Sequence, residues 1–277
     1  MSGLISLTPE QFTMFQKFIY QHTGIWTLDG KTALLSNRIR RRLRDRGLES
    51  FDEYYKLLSA GTLPGELESF IDAITTNETY FFRTSEHFDW FTGPFLDDMI
   101  ARAAAGRRER SLRVWSAACS SGEEPYSLAI CLAENAPRLA GWTIQVVGTD
   151  ICETALQMAR AATYGPKALE FVSPERLARH FVADTATKDT WRLKPAVAGL
   201  CEFRRHNLLE PMAGQKFDCI FIRNVLIYFD RTSKPIALRH LIESLQSGGC
   251  LVPGSTDGAH DFLDGLERRS NFVYQKP

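Results

Sequence analysis

Apolar residues recur at helical spacing through the first 80 or so positions of this 277-residue chain. Four helices are predicted there, and they begin after Thr8, Gly30, Ser50 and Pro64. The first has the strongest end signals, because Thr8, Pro9 and Gln11 form a capped start and Gly24 ends the apolar run. The pattern therefore predicts a small all-helical N-terminal domain over residues 1–82.

The pattern changes from residue 112 onward, where short apolar runs alternate with helical stretches. The runs are LRVWSAA, IQVVGTD, FDCIFIRN and GGCLVPG. Strands that alternate with helices are typical of βαβ units in a parallel sheet. We therefore predict an α/β fold for residues 112–277, with a doubly wound, mostly parallel, Rossmann-like sheet, and a linker with a connecting helix over residues 83–111. Between about residues 173 and 203 the alternation gives way to short strands and turns, which predicts an insertion.

Composition narrows the class of protein. Hydrophobic residues make up 44% of the chain and charged residues 24%, which is ordinary for a soluble globular protein. No apolar run approaches the roughly 20 residues of a membrane span, and the N-terminus lacks a signal-peptide pattern, so we expect a cytoplasmic protein without membrane insertion. The six cysteines stand singly, with no histidine at ligand spacing, so we expect neither a disulfide framework nor a metal site.

The second predicted helix carries an uneven charge. Its apolar stripe consists of Leu34, Leu35, Ile39 and Leu43. Around that stripe the segment RIRRRLRDR, residues 38–46, holds six arginines against one aspartate, although the formal charge of the whole chain is zero. The neutral total disfavours a uniformly basic nucleic-acid-binding protein. Three interpretations of the arginines stay open, namely a solvated face, a surface for an acidic protein partner, and a local nucleic-acid contact.

The segment WSAACSSGEEPYS, residues 115–127, joins the first predicted strand of the sheet to a helix. In open parallel sheets this turn approaches the ligand closely. It lacks the G-x-G-x-x-G spacing of dinucleotide-binding proteins and places Glu123 and Glu124 where a pyrophosphate would lie, so NAD and FAD are disfavoured. A cationic ligand without phosphate, such as S-adenosylmethionine, fits the carboxylates better. The alternative is structural, because Ser121 and Glu124 also match a helix capping box.

The second predicted strand of the sheet ends in Asp150. An acidic residue at that position commonly binds ribose hydroxyls in nucleotide-binding sheets, whereas a turn or helix-capping aspartate is the alternative. Together, the loop and Asp150 favour an adenosyl cofactor.

Five segments of the chain are similar to one known family. They are TTNETYFFR at residues 75–83, VWSAACSSGEEPYSLAI at 114–130, GTDI at 148–151, NLLE at 207–210 and FIRNVLIYFD at 221–230. Together they resemble the chemotaxis receptor methyltransferases of the CheR type, over nearly the whole chain. The resemblance implies a protein-glutamate O-methyltransferase that uses S-adenosylmethionine, releases S-adenosylhomocysteine, and forms methyl esters on the cytoplasmic helical domain of chemoreceptors in chemotaxis adaptation. It also implies that the insertion is a small antiparallel β-subdomain, which in some members binds a tethering peptide at the receptor's C-terminus.

The resemblance also assigns residues to roles. It implies a cofactor site formed by Asn77, Thr79, Arg83, Glu124, Asp150, Asn207, Leu208, Asn224 and Val225. In that set, Asp150 is expected on the ribose, and Asn207 and Leu208 beside the adenine. Receptor methylation sites in this family lie on glutamate-rich helical bundles, so Arg38, Arg40, Arg41, Arg42 and Arg44 become candidates for receptor docking. We expect a monomer that binds no nucleic acid.

Methyl transfer to a carboxylate makes few chemical demands on the enzyme. A glutamate side chain with a pKa near 4.3 is ionised at neutral pH, so no general base is required. Arg83 is the candidate for orienting the reacting carboxylate, because a guanidinium binds a carboxylate through two parallel hydrogen bonds. Tyr228 is a second candidate for the same point, with core packing beside Phe229 as the alternative.

Two other functions stay open from the sequence. One is a nucleic-acid methyltransferase, for which NVLIY would be a distant form of the N-P-P-Y loop, although the prolines are missing. The other is a non-catalytic module that senses S-adenosylmethionine and only docks on receptors. The presence of Arg83, Asp150 and Asn224 favours catalysis over that module.

Overall fold

The N-terminal part of the chain is helical, as predicted. The computed structural model describes residues 6–26 and 30–277, so residues 1–5 and 27–29 of the predicted helical domain lie outside the described residues. The helices found there are α1 (Pro9–Thr23), α2 (Thr32–Arg46), α3 (Phe51–Ala60) and α4 (Glu66–Ile74). At the start of α1, the Thr8 hydroxyl accepts a hydrogen bond from the Gln11 amide, and the Gln11 side chain accepts one from the Thr8 amide. Gly24 ends this helix in the left-handed conformation, so both end signals are confirmed.

The four helices pack around aromatic and aliphatic side chains. Phe15, Ile39, Leu43, Tyr54 and Phe70 are almost fully buried and belong to one apolar cluster. Leu34, which belongs to the predicted apolar stripe of α2, is not part of this cluster. It is 47% exposed and lines the cleft between this domain and the sheet.

The connecting segment is helical but interrupted. Helix α5 (Ser85–Trp90) runs into a π-helical turn (Phe91–Phe95), which is followed by α6 (Leu96–Ala104). Pro94 lies inside the turn and has no amide hydrogen to donate, so the regular helical bonding cannot continue through it. Phe91 and Phe95 stack at 5.2 Å and hold the turn against the core of the next domain.

Strands and helices alternate through the rest of the chain. In order they are β1 (Ser111–Ala117), α7 (Glu123–Glu134), β2 (Thr143–Asp150), α8 (Glu153–Ala161), β3 (Thr163–Tyr164), α9 (Pro166–Leu169), α10 (Pro174–His180), β4 (Phe181–Ala183), β5 (Trp191–Leu193), α11 (Pro195–Ala198), β6 (Cys201–Arg205), β7 (Phe217–Ile222), α12 (Ser233–Ser244), β8 (Leu245–Pro253), β9 (Glu267–Arg268) and β10 (Tyr274–Gln275). Short 3₁₀ turns lie at Leu226–Tyr228 and His260–Phe262.

Most of the strands form one twisted sheet. Over the described residues its order is β6-β2-β1-β7-β8-β10-β9, and neighbours from β6 to β8 are parallel while β10 pairs antiparallel with β8 and β9. The predicted doubly wound, mostly parallel sheet is therefore confirmed. Among the described residues, no helix is both long and apolar enough to span a membrane.

The insertion forms a second, antiparallel sheet of order β3-β5-β4 within the described chain. It differs from the predicted range at both ends. The small sheet already begins at Thr163, and residues 201–203 belong to β6 of the main sheet, where they pair with β2. The sequence of β6, CEFRR, has exposed charges because it is an edge strand, and this hid its place in the main sheet. Phe81 packs edge-on against Tyr164 and Phe181, so the segment after α4 is anchored on this sheet.

Candidate functional site

A cleft lies between the helical domain and the carboxyl ends of the parallel strands, the edge at which open α/β sheets bind ligands. Its walls come from α2, from the segment after α4, and from the loops after β1, β2, β6 and β7. All the predicted cofactor positions line it, namely Asn77, Thr79, Arg83, Glu124, Asp150, Asn207, Leu208, Asn224 and Val225. Tyr228 and Arg38 line it as well. The fold thus brings residues from distant parts of the sequence to one place.

The loop after β1 is held in an uncommon conformation. Ala118 and Ser120 have φ values of 59° and 52°, and Gly122 has 94°. Non-glycine residues rarely adopt this region, and such strain concentrates at functional sites. The Ser120 amide donates to Asp150, and the Cys119 amide donates to the carbonyl of Thr149. The backbone is thereby fixed across the ends of β1 and β2.

Glu123 and Glu124, which follow this loop, do not present two free carboxylates to a ligand as predicted. Gly122 is the N-cap of α7 and no side chain caps the helix, so the capping box assigned to Ser121 and Glu124 is wrong. Glu123 is buried, and its carboxylate accepts from the Ser121 hydroxyl at 2.8 and 3.0 Å. Burial raises the pKa of Glu123. It does not line the cleft, so it contributes nothing to cofactor selection.

Glu124 faces the cleft but is paired. One oxygen accepts from the Ser116 hydroxyl at 2.7 Å, and the other forms an ion pair with Arg223 at 2.5 Å. The Arg223 side chain is only 3% exposed and the Glu124 side chain 11%. The pair is nearly neutral as a unit, so Glu124 supplies much less negative potential to the cleft than the sequence argument assumed.

Arg223 connects the sheet with the segment after α4. It donates to the backbone carbonyl of Arg83 at 2.5 Å and to His87 Nδ1 at 3.4 Å, and its guanidinium lies 5.2 Å from the Phe88 ring. This arginine lies within the motif FIRNVLIYFD but is not among the predicted site residues. The signal was available, because an arginine that ends the buried run FDCIFI requires an acidic partner.

His87 is buried beside that ion pair. Its ring stacks on Phe272 at 4.2 Å. Burial, reinforced by the nearby positive charge of Arg223, lowers the pKa of His87 to about 4. The ring is therefore neutral at physiological pH, with Nδ1 accepting from Arg223.

Asp150 presents a charged acceptor to the cleft. Its two oxygens accept from the amides of Ser120 and Cys152, at 2.8 and 2.9 Å, and 7% of its surface is exposed. Burial raises the pKa of Asp150, and the backbone donors oppose that rise. No cationic side chain of the described residues pairs with it. Each oxygen keeps a lone pair for another donor, which suits a hydroxyl group and is unfavourable for a phosphate.

The asparagines of the predicted site are held by the protein. The side-chain amide of Asn77 donates to Cys152 Sγ at 3.2 Å, and the backbone carbonyl of Asn77 accepts from the Ser120 hydroxyl. Asn207 donates to the carbonyl of His22 in α1 at 2.8 Å and accepts from the Leu209 amide. The Asn207 side chain therefore links the two domains, so only its backbone and the buried side chain of Leu208 are available beside a ligand.

The turn after β7 is fixed by an aspartate that sequence reasoning missed. Asn224 has a φ of 58°, and its amide donates to Asp257 at 2.8 Å. The same oxygen accepts from the Gly254 amide, and Asp257 is fully buried. Burial raises the pKa of Asp257, against the effect of these backbone donors. Its only sequence signal was an aspartate in a glycine-rich turn, which is common in loops.

Tyr228 combines both of its predicted environments. Its ring is half-buried, packs against the apolar cluster of the sheet, and lines the cleft. Its carbonyl accepts from the Trp26 amide at 2.8 Å, and Ile25 bridges to Phe229. Contacts between the segment after α1 and the turn after β7 therefore set its position.

Arg83 lies between two residues with positive φ, Phe82 at 55° and Thr84 at 62°. Its guanidinium donates to the carbonyl of Glu78 at 3.2 Å and lies 5.6 Å from the Tyr80 ring. It has no carboxylate at ion-pair distance among the described residues. Because the protein groups that contact the Arg83 guanidinium are neutral, its charge is available for an anionic substrate group.

The arginines of α2 have different surroundings. Arg38 donates to the carbonyl of Ile74 and to the Thr76 hydroxyl, so it belongs to the cleft wall. Arg42 binds the buried Glu66 with two hydrogen bonds and stabilises the helical domain. Arg41 and Arg44 are exposed, and Arg40 is half-buried with a bond to Asn37. Of these five arginines, Arg38 and Arg42 therefore make their contacts within the protein.

Within residues 6–26 and 30–277, no group of three or more His, Cys, Asp or Glu side chains is placed to hold a metal ion. The expectation of a metal-free protein stays a prediction.

Comparison with known proteins identifies the family. Residues 10–75 match the description "CheR methyltransferase, all-alpha domain", and residues 77–268 match "CheR methyltransferase, SAM binding domain". A chemotaxis protein methyltransferase of Salmonella typhimurium is 37% identical over 277 residues, which cover 99% of this chain and 92% of that protein. Chemotaxis protein methyltransferase 1 of Pseudomonas aeruginosa is 36% identical and covers 94% of both chains. The chain therefore belongs to the CheR methyltransferase family.

Proposed function

We propose that the protein transfers the methyl group of S-adenosylmethionine to side-chain carboxylates of glutamates on chemoreceptors and forms glutamate methyl esters. Membership of the CheR family supports the activity and the substrate class. The observation that carries the proposal in this chain is the position of Arg83. Its guanidinium lacks a carboxylate partner among the described residues and shares one cleft with the charged acceptor Asp150.

The residues of the cleft fit an adenosyl cofactor. Asp150 has acceptor capacity for ribose hydroxyls, and no cationic side chain is directed at it for a phosphate. His206 lines the same cleft, and its buried Nε2 has no hydrogen-bond partner among the described residues. Burial lowers the pKa of His206, so the neutral ring can donate or accept. A heterocycle with donors and acceptors would satisfy this atom.

The chemistry requires positioning more than proton transfer. When bound, S-adenosylmethionine supplies an electrophilic methyl group on a sulfonium. The ionised glutamate oxygen forms a bond to the methyl carbon while the carbon–sulfur bond breaks, and neutral S-adenosylhomocysteine leaves. In this proposal Arg83 holds the second carboxylate oxygen and so fixes the angle of attack, and Tyr228, which lines the same cleft, is the second candidate donor to that carboxylate. Correct positioning supplies roughly 7–11 kcal/mol of barrier reduction in favourable cases.

The surface around the cleft supports a protein substrate. The exposed Arg41 and Arg44 give a positive face to α2, the helix whose Leu34 and Arg38 line the cleft, and this charge complements a glutamate-rich helical bundle. The nucleic-acid alternative is set aside, because the relatives are chemotaxis protein methyltransferases. Binding of a receptor's C-terminal peptide to the β3-β5-β4 sheet, and a monomeric state, stay predictions.

Two measurements test the proposal. Calorimetry should detect binding of S-adenosylhomocysteine and no binding of NAD, and labelled methyl groups should pass from S-adenosylmethionine to receptor-containing membranes in a base-labile form. The proposal fails if the protein binds the adenosyl ligand but methylates no receptor glutamate, which is the result expected of a sensing module. NAD binding without adenosyl binding would overturn the cofactor assignment as well.

A further inference from the structure

Exposed apolar side chains are concentrated around the opening of the cleft. Among the described residues the large exposed apolar side chains are Trp26, Leu34, Met158, Phe171, Val182 and Ile227. Trp26 and Leu34 line the cleft and are 39% and 47% exposed, so they lie at its opening. Ile227, 47% exposed, precedes the cleft residue Tyr228. Single exposed apolar residues are common, but a group at one opening indicates an interaction site.

This apolar rim, formed by Trp26, Leu34 and Ile227, is fixed in place. The Trp26 amide donates to the Tyr228 carbonyl, and the Trp26 ring packs edge-on against Tyr20 at 5.6 Å. The Tyr20 hydroxyl donates to Asp230 at 3.0 Å, in the same turn that carries Ile227. These contacts hold Trp26 against the turn that carries Ile227.

A shallow groove continues outward from the rim. Trp26 and Tyr228 line both the cleft and this groove, which also includes Ile227, Phe262 and Arg231. Arg231 is exposed and has no acidic partner at ion-pair distance in the described part of the chain. Asp230 and Asp261 line the groove as well, but they are already bonded to Tyr20 and His260. The groove thus combines apolar side chains with the unpaired cation of Arg231.

We propose that the apolar rim binds the turn of receptor helix next to the methylated glutamate, through apolar side chains three or four residues from that glutamate. This inference rests on the proposed function. In a helix about 10–12 Å wide, side-chain tips lie only roughly 5–6 Å from the axis, so a glutamate that reaches into the cleft brings its helix onto the rim. Residues three or four positions away lie on the same face, and they therefore meet Trp26, Leu34 and Ile227.

Charge favours a receptor helix over another apolar occupant. Arg231 lines the groove together with Ile227, and Lys31 and Arg38 line the cleft together with Leu34, so acidic side chains on the flanks of such a helix would meet cations at both parts of the rim. A second copy of this chain would bring the same cations against each other at a symmetric contact. The rim therefore selects glutamates that have an apolar neighbour one turn away, and the arginines select the acidic bundle as a whole.

Ile227 provides the test, because it belongs to the rim and does not line the cleft. We expect Ile227→Glu to raise the KM for receptor at least tenfold and Ile227→Ala to raise it about threefold, with kcat and the affinity for S-adenosylhomocysteine within about twofold of wild type. The increase for Ile227→Ala should persist at high salt, since it reflects lost apolar contact. Met158→Glu is the matched control, since Met158 is 56% exposed on α8, and its KM should not change.

The outcomes separate this inference from the proposed function. If wild-type protein methylates receptors and Ile227→Glu keeps its KM within twofold, the rim has no role in docking. A fall in kcat at unchanged KM would also overturn it, because the residue would then act on the site. Light scattering that shows a wild-type dimer and a monomeric Ile227→Glu variant would assign the rim to self-association instead. If wild-type protein transfers no methyl group, the proposed function fails first.

Discussion

The floor of the cleft and its opening are built from different kinds of contact. On the floor, Glu124, Asp150 and Arg223 are each at most 9% exposed as whole residues, and every one of them is bonded to a protein group. At the opening, Arg83 bonds only a carbonyl, and α2, which forms one wall of the cleft, carries Arg41 and Arg44, which have no acidic partner in the described residues. The charged groups of the floor are therefore bonded within the protein before a ligand binds, whereas Arg83 at the opening keeps unused donors.

This difference separates the two tasks of the protein. A floor whose polar groups are fixed by one another costs little to organise when a small cofactor binds. An opening with free cations and exposed apolar side chains can adapt to a protein substrate. Floor substitutions should therefore change stability and cofactor binding together, and substitutions at the opening should change receptor methylation alone.

The largest effect is expected for the buried ion pair of the floor. Arg223→Met removes one partner and leaves Glu124 charged and unpaired, so we expect a loss of about 3–5 kcal/mol in the free energy of unfolding. Urea unfolding followed by circular dichroism measures it. The double substitution Glu124→Gln with Arg223→Met removes the uncompensated charge and should recover part of the loss. If Arg223→Met alone unfolds at the urea midpoint of the wild type, the proposed difference between the floor and the opening is wrong.

An exposed ion pair is the control for that experiment. Lys167 and Glu78 lie 2.9 Å apart, with 83% and 69% of their side chains exposed. Lys167→Met removes one partner in the same way. Because water solvates both groups, its unfolding midpoint should stay at the wild-type value.

The next largest effect is a pH dependence of the free energy of unfolding, which arises from His87 beside the buried ion pair. The pKa of His87 is about 4 in the folded protein and near 6.5 when unfolded, so the unfolded state takes up the proton first as the pH falls. Stability from this group is complete above about pH 6.5 and is lost towards pH 4, with a loss of about 2 kcal/mol by pH 5. His87→Asn keeps an acceptor for Arg223 without titrating, so its stability should fall by correspondingly less between pH 8 and pH 5. Parallel curves for His87→Asn and wild type would exclude His87 as the source, and the exposed His260→Asn should follow wild type.

The sequence predicted the elements of this fold better than the pairing of its polar groups. The helix ends at Thr8 and Gly24 and the apolar strands of the sheet are local signals, and each was confirmed. The bond between Glu124 and Arg223 joins residues 99 positions apart, and no periodicity connects them. The family motifs placed Arg83 and Asp150 in one cleft, but only the three-dimensional contacts show that Arg42 is committed to Glu66.

Substitutions of Arg83 test its proposed role in orienting the reacting carboxylate. Arg83→Lys keeps the charge and loses the planar pair of donors, and Arg83→Ala loses both, so we expect each to slow methylation by about tenfold or more, or about 1.4 kcal/mol. The bond from Arg223 goes to the backbone of Arg83 and survives both changes, so the melting temperature should shift little. Single-turnover methylation at saturating cofactor, beside a melting curve, measures both effects. Wild-type turnover in Arg83→Lys would show that charge alone matters there.

The smallest effect is expected for the outer face of α2, and the structure sharpens which arginines to change. Arg38 and Arg42 bond within the protein and Arg40 is half-buried, so the test is the reversal of Arg41 and Arg44 to glutamate. Their charges act over a Debye length of roughly 8–10 Å, so we expect receptor methylation to slow a few-fold at low salt and its salt dependence to flatten. Affinity for S-adenosylhomocysteine should not change, because neither residue lines the cleft. Reversal of Arg107 and Arg110, which are exposed beyond the amino ends of the strands, changes the net charge equally and is the matched control. If both reversals slow methylation alike, the effect is one of total charge, and α2 provides no specific docking surface.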